Sequence, residues 1–285
     1  MTRFRAAALA LLLAATGCSP VDALNATVPL TGETVLRDIA FMPGPRGGMD
    51  VYRPEHAAGP LPVVVFFYGG SWRNGARGDY RFVAAELARR GMVVVVPDYR
   101  VFPQVSFPAF VEDGARAVAA VRLQAAGWGG DPARIVLAGH SAGAWIAAML
   151  ALNPKYLADA GDGRAGIAGL VGIAGPYDFD PAQFDSTRDV FATAASKAET
   201  QPITFADGRA PPMLLLHGAD DTTVEPRNSR ALAGRIAAAG GSADLRIYPG
   251  VGHVGIAMSF APLFRAKAPA LDDMAAFVLA VRPVR

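Results

Sequence analysis

The residues best suited to chemistry in this 285-residue chain are Gly139-His140-Ser141-Ala142-Gly143. They fit the pattern G-x-S-x-G and follow an apolar run over 134–138 that reads as a buried strand. The stretch from Ala142 to Leu152 is rich in Ala, Leu, Met and Ile, residues suited to a helix. A serine between such a strand and such a helix sits on a sharp turn with its hydroxyl exposed, and flanking glycines let the backbone of neighbouring elements come close. This is the layout of a nucleophile elbow. The plainer possibility, a tight turn with a serine capping a helix, requires no partner residues elsewhere.

A serine hydroxyl is a weak nucleophile until a base takes its proton, and the base needs a carboxylate to fix its tautomer. The chain has four histidines. His56 lies in a segment flanked by Pro and Gly, His140 is inside the elbow, and His217 ends an apolar run. His253, in the glycine-rich Tyr248-Pro249-Gly250-Val251-Gly252-His253, follows a strand-like segment over 243–248 and precedes the last helix. It is therefore the candidate base, on a loop held by a scaffold. For the carboxylate, a strand-like run over 212–217 enters a turn holding the adjacent pair Asp220 and Asp221, which compete for the role. A third strand-like run, 61–67, leads into Tyr68-Gly69-Gly70-Ser71-Trp72, a loop able to offer main-chain N–H groups to a developing oxyanion.

Together these segments resemble the HGGG or HGGxW group of α/β-hydrolases, which includes the carboxylesterases, the hormone-sensitive-lipase-like enzymes and the kynurenine-formamidase-like enzymes, with Tyr68 in place of the usual histidine. Val95-Val96-Pro97-Asp98-Tyr99-Arg100 and Trp128-Gly129-Gly130-Asp131-Pro132-Ala133-Arg134 are similar to further segments of that group. Phe102-Pro103-Gln104 is similar to its isoprenylcysteine methylesterase-like and feruloyl-esterase-like lineage. The resemblance implies an α/β-hydrolase fold and a chain order of Ser, then Asp, then His. It implies Asp221 as the acid, through the spacing His-Gly-x-x-Asp-x-x-Val, with Asp220 bonding local backbone. It also implies the N–H groups of Gly70, Ser71 and Ala142 as the oxyanion hole. The expected activity is hydrolysis of a small carboxylic ester through an acyl-enzyme. Cleavage of an amide, as in arylformamidases, and ligand binding without catalysis are the alternatives. Trp72, Tyr68, Trp145 and Tyr177 are candidate pocket walls.

The elements that must position these residues are legible as a pattern. Continuous Val/Ile/Leu runs alternate with Ala-rich helical segments over 82–90, 110–126 and 230–239, after a β-rich start at 35–41 and 49–53. Such a chain predicts a mostly parallel sheet covered by helices on both faces. With 52% hydrophobic and 18% charged residues it can bury a large core as one domain over 35–285. The polar, poorly periodic stretch 177–210 reads as a lid-like insertion.

The first residues read differently. Basic Met1-Thr2-Arg3-Phe4-Arg5 precedes an apolar stretch too short to span a bilayer, and Ala15-Thr16-Gly17 puts small residues before Cys18, the single cysteine. This predicts a signal peptide over 1–17 and a tether over 18–34. The junction resembles a bacterial lipobox, which implies lipid attachment at Cys18, export and membrane anchoring; soluble secretion is the alternative. A net charge of +2 with no Lys/Arg run gives no footprint for nucleic acid. No metal or nucleotide motif occurs, so no cofactor is expected.

Overall fold

The computed structural model describes residues 20–29 and 31–282. Among them, eight strands form one sheet: β1 (Glu33–Ala40), β2 (Gly48–Pro54), β3 (Leu61–Phe67), β4 (Val93–Pro97), β5 (Gly130–His140), β6 (Ile167–Ile173), β7 (Met213–Gly218) and β8 (Ala243–Tyr248). Their spatial order is β1-β2-β4-β3-β5-β6-β7-β8. β1 pairs antiparallel with β2, and β2 with β4, while every later pairing is parallel. The helices are α1 (Pro20–Ala26), α2 (Arg81–Ala88), α3 (Ala109–Gln124), α4 (Ala142–Leu152), α5 (Pro154–Asp159), α6 (Arg227–Ala238), α7 (His253–Met258) and α8 (Ala270–Ala280).

The character of each strand follows its place in this order. β3, β4 and β6 are central, and their Val/Ile/Leu side chains are buried on both faces, as the unbroken apolar runs require. β8 is an edge, and its burial alternates instead. α4 lies against β5 and β6 and is buried all round, consistent with a sequence lacking any charge; α6 buries only the stripe through Asn228, Ser229, Leu232 and Ile236. Here is the α/β-hydrolase fold that the sequence predicts.

Three local outcomes differ from the sequence reading. β6 has no counterpart in the sequence pattern, because Gly169 and Gly172 dilute its apolar run. His253 is the first residue of α7 rather than a loop residue. The described part of the expected tether is folded against the domain: Asn25 accepts from Phe82 N–H at 3.0 Å and donates to Gly78 O at 2.9 Å, and Arg89 Nε donates to Thr31 O at 3.0 Å. Cys18 and the expected signal peptide lie outside the described residues.

Candidate active site

The carboxyl ends of β3, β5, β7 and β8 each deliver one part of the site, and β5 is central because its neighbours β3 and β6 carry the ladder past it on both sides. Ser141 immediately follows β5. Its backbone is held at φ 54°, ψ −122°, an orientation that a non-glycine residue adopts only when its surroundings force it. The forcing is visible at both glycines. A Cβ on Gly143 would fall 2.0 Å from Phe67 O, and one on Gly139 would fall 2.4 Å from Gly143 C, so α4 can approach the sheet this closely only without side chains there. Ser141 N–H donates to Ile173 O at 2.9 Å, tying the turn to β6.

Beside this hydroxyl, His253 Nε2 stands 2.9 Å from Ser141 Oγ, and His253 Nδ1 stands 2.7 Å from Asp221 Oδ2. The three side chains, 80 and 32 residues apart along the chain, thus form one line. Nδ1 faces a carboxylate and so carries the proton, which leaves Nε2 to accept from the serine hydroxyl. Asp221 is buried, and its other oxygen accepts from Thr223 N–H and Val224 N–H, each at 2.9 Å. Asp220 is exposed, so the local backbone bonding expected of it is performed by Asp221 itself. The Asp221 turn and the His253 loop are stitched together by Ala219 N–H to Tyr248 O at 2.8 Å and Asp220 N–H to Val251 O at 3.0 Å.

A second histidine, whose role the sequence did not disclose, also meets the acid. His217 Nε2 lies 2.8 Å from Val224 O and 3.3 Å from Asp221 Oδ2, while its Nδ1 is 2.7 Å from Ser229 Oγ. Two acceptors face Nε2, so the proton sits there and Ser229 donates to Nδ1. Burial acts to raise the Asp221 carboxyl, but hydrogen bonds from His217, His253 and Val224 N–H outweigh it and hold the group well below the usual carboxylate range.

Across the cavity from the base, the loop after β3 turns through two non-glycine residues with positive φ, Ser71 at 53° and Trp72 at 56°. Among the described residues, the N–H groups of Gly70, Ser71 and Ala142 find no acceptor. Ser71 and Ala142 border the same cavity as Ser141; Gly70 sits behind Ser71, outside the lining. Ala142 is the first residue of α4, so its N–H carries the positive end of that helix's dipole.

The cavity measures about 190 Å³ and has two unlike walls. Trp72, Phe179 and Phe184 form the apolar one, with Trp72 and Phe179 stacked at 6.0 Å. Thr222, Thr223, Glu225, Arg227 and Asn228 form the polar one. Of the four expected wall residues only Trp72 reaches the cavity. Tyr68 is fully buried, stacked on Tyr99 at 4.5 Å, and its hydroxyl donates to Asp98 at 3.1 Å and accepts from Arg46 at 3.0 Å. Trp145 is fully buried too, packed edge-on against Trp72 and donating to Thr200 O at 3.0 Å. Tyr177 is buried beneath Gly172 and Gly175. The error has one cause: large aromatics near a motif are usually core in a protein this size. The lining residues that the sequence did not single out come from the loops after β6 and β7 and the first turn of α6, at the carboxyl ends of strands, where open α/β sheets place their ligands.

Within 177–210 the chain packs as one wall of this cavity. Val190, Phe191 and Ala206 are buried, and Phe107 N–H donates to Val190 O at 2.9 Å.

Fold and site together define an α/β-hydrolase, with the G-x-S-x-G turn holding Ser141 at the carboxyl end of β5. The BD-FAE family profile matches residues 49–236, and the chain belongs to that family. It is 32% identical over 242 residues to the "Probable isoprenylcysteine alpha-carbonyl methylesterase ICMEL1" of Oryza sativa subsp. japonica, covering 77% of this chain and 57% of that protein. It is 30% identical to "Esterase LipC" of Mycobacterium tuberculosis, covering 76% of this chain and 59% of that protein. The chain therefore spans less than two thirds of these relatives' length. Among solved structures, Thermogutta terrifontis esterase 2 superposes with a TM-score of 0.72 at 23% identity, covering 90% of this chain and 98% of that one.

Proposed function

We propose that this protein is a serine carboxylesterase in which Ser141 is the nucleophile, His253 the general base and acid, and Asp221 the orienting carboxylate. The observation that carries the reading is the unbroken line from Asp221 Oδ2 through the His253 ring to Ser141 Oγ, 2.7 Å and 2.9 Å, at the edge of a cavity. The names of the curated relatives, esterases and a methylesterase, favour an ester over an amide.

In this reading Ser141 Oγ attacks the ester carbonyl carbon as its proton passes to His253 Nε2. The carbonyl electron pair moves onto oxygen, where the N–H groups of Ser71 and Ala142, which border the cavity, receive it, a contribution of roughly 3 kcal/mol per donor in well-studied hydrolases. Asp221 stabilises the imidazolium and is not itself protonated. Collapse of the intermediate breaks the C–O bond, and His253 returns its proton to the departing alkoxide. Water then repeats the sequence on the acyl-enzyme. A stack of Trp72 on Phe179 beside the nucleophile, with a packed floor of Phe110, Trp145 and Phe191 beneath it, leaves room for a small acyl or alcohol group.

The test is Ser141→Ala assayed on p-nitrophenyl acetate beside a fluorophosphonate label. The variant is expected to lose essentially all turnover and all labelling with its circular dichroism intact; turnover retained in the variant overturns the reading. A series of p-nitrophenyl esters is expected to show falling kcat/KM beyond short acyl chains.

The proposal extends to location: Cys18 carries lipid after removal of residues 1–17 and holds the enzyme at a bacterial membrane. Its support is the basic, apolar and small-residue sequence before Cys18. Cys18→Ser is expected to move the protein from the membrane to the soluble fraction of cells; unchanged partitioning overturns it.

A further inference from the structure

His140, the variable residue of the elbow, is buried beside the site, yet both of its ring nitrogens are engaged away from Ser141. Its Nδ1 lies 2.7 Å from Tyr80 Oη and its Nε2 lies 3.1 Å from the main-chain oxygen of His253. A carbonyl can only accept, so Nε2 carries the proton and Nδ1 accepts from the Tyr80 hydroxyl. Gly69, the residue preceding the Gly70-Ser71 turn, packs directly on this pair: a Cβ on it would fall 3.1 Å from both Tyr80 Oη and His140 Nδ1. One chain of contacts therefore runs from the loop after β3, packed on Tyr80 and His140, through the hydrogen bonds of His140, to the backbone of His253 on α7.

We propose that Tyr80 and His140 are positioning residues that set the distance between the oxyanion loop and the base loop across Ser141. The proposal rests on the esterase reading and adds a function to residues outside the catalytic line. An ordinary buried histidine needs two partners to be satisfied, and any two would serve. These two, Tyr80 and His253 O, lie 173 residues apart in sequence (253 − 80), and Gly69 of the loop after β3 packs on the first of them. The bridge meets main chain at both ends, by close packing at Gly69 and by a hydrogen bond at His253 O, so it fixes backbone position and leaves the reacting atoms free. Burial, with the neighbouring His253 adding to it, pulls the His140 ring down to about 3, so Nδ1 stays an acceptor at neutral pH and the bridge persists there.

A purely structural role predicts lost stability with unchanged kinetics in the folded fraction. A positioning role predicts a loss in kcat at nearly constant KM, since ground-state binding uses the cavity walls and not the bridge. Displacing a reacting group by about 1 Å can cost on the order of 100-fold. The experiment compares Tyr80→Phe, His140→Leu, His140→Gln and the double variant Tyr80→Phe/His140→Leu on p-nitrophenyl acetate. Protein concentrations are corrected to the folded fraction by circular dichroism, and Ser141→Ala serves as the inactive reference. The expected result is a fall in kcat of about 10-fold for Tyr80→Phe and about 100-fold for His140→Leu, with KM within 2-fold. His140→Gln, whose amide can still donate to His253 O, is expected to recover most of the His140→Leu loss. The double variant is expected to be no slower than His140→Leu, because the two residues form one bridge. If kcat is unchanged in Tyr80→Phe and His140→Gln offers no recovery, the proposal is wrong even though Ser141→Ala is dead. If Ser141→Ala remains active, the esterase reading itself has failed. Should His140→Leu not fold, Tyr80→Phe and His140→Gln decide alone.

Discussion

The elbow carrying Ser141 and the loop carrying His253 meet at one site but are built by opposite means. The elbow stands on β5, in the middle of the sheet, between strands buried on both faces and a helix with no exposed residue. Its geometry is set by backbone against backbone. The base stands beyond β8, an edge strand of alternating burial, on a helix of six residues whose second position, Val254, is 62% exposed. There the fixing agents are side-chain hydrogen bonds: Asp221 to one ring nitrogen of His253, and His140 to its main-chain oxygen. In the proposed reaction the N–H donors beside Ser141 act by being preorganised, which a rigid backbone mount supplies. His253 in that reaction passes a proton in two directions, and a hydrogen-bonded mount at the edge suits it.

The sharpest way to break this comparison is to add one methyl group to each half. Gly143→Ala drives a Cβ to 2.0 Å from Phe67 O, where backbone stands on both sides and nothing can rotate away. The expected outcome is a loss of at least about 3 kcal/mol in unfolding free energy, or no soluble protein, read by urea titration. Gly255→Ala in α7 meets only Val251 Cγ1, at 3.6 Å. It is expected to leave stability unchanged or raise it by up to about 1 kcal/mol, as alanine favours a helix over glycine. Equal damage from both changes would contradict the division drawn above.

Next in size is the acid. Asp221→Asn keeps the shape and, with an amide facing His253 Nδ1, favours the wrong tautomer; a fall in kcat of about 10⁴-fold is expected on p-nitrophenyl acetate. Asp220→Asn, at an exposed position, is expected to stay within about 2-fold of the parent. Activity that survives at 221 and dies at 220 would move the acid role to the neighbour.

These contrasts also explain what could be read before any coordinates. The elbow was legible because backbone close approach demands glycine at fixed spacing, so Gly139, Ser141 and Gly143 leave a mark in sequence. The strands with unbroken apolar runs, such as β3 and β7, were legible for a similar reason, and β6 was not because its glycines weaken the same signal. The base was reached largely by eliminating the other histidines, and the acid only through a family spacing. What stayed hidden were contacts made by side chains from distant segments: His217 on Asp221, Tyr80 on His140, and the cavity walls from the loops after β6 and β7. A hydrogen bond between residues 60 apart imposes no period and no local composition. The aromatic residues nearest the motifs misled because Tyr68, Trp145 and Tyr177 fill the core behind the site.

The smallest expected effect separates the halves by pH. His140 is held near 3 in the folded protein, whereas an exposed imidazole titrates near 6.5. Below about 6.5 the unfolded chain binds a proton at this position that the folded chain refuses, so stability falls with falling pH from there down to about 3, at up to about 1.4 kcal/mol per pH unit from this one group. Asp221 acts in a lower window. Its folded carboxyl is depressed, so the stability it contributes is complete above the unfolded value of about 3.9 and fades only as pH drops beneath that. Between pH 6 and 4.5, therefore, the His140 contribution can be read without that of Asp221. His140→Gln, which cannot take up the proton in either state, is expected to flatten the decline of the unfolding midpoint across that interval relative to the parent. Parallel curves for the parent and His140→Gln would mean that the elbow histidine does charge in the folded protein, and that the bridge from Tyr80 to the base opens as the solution is acidified.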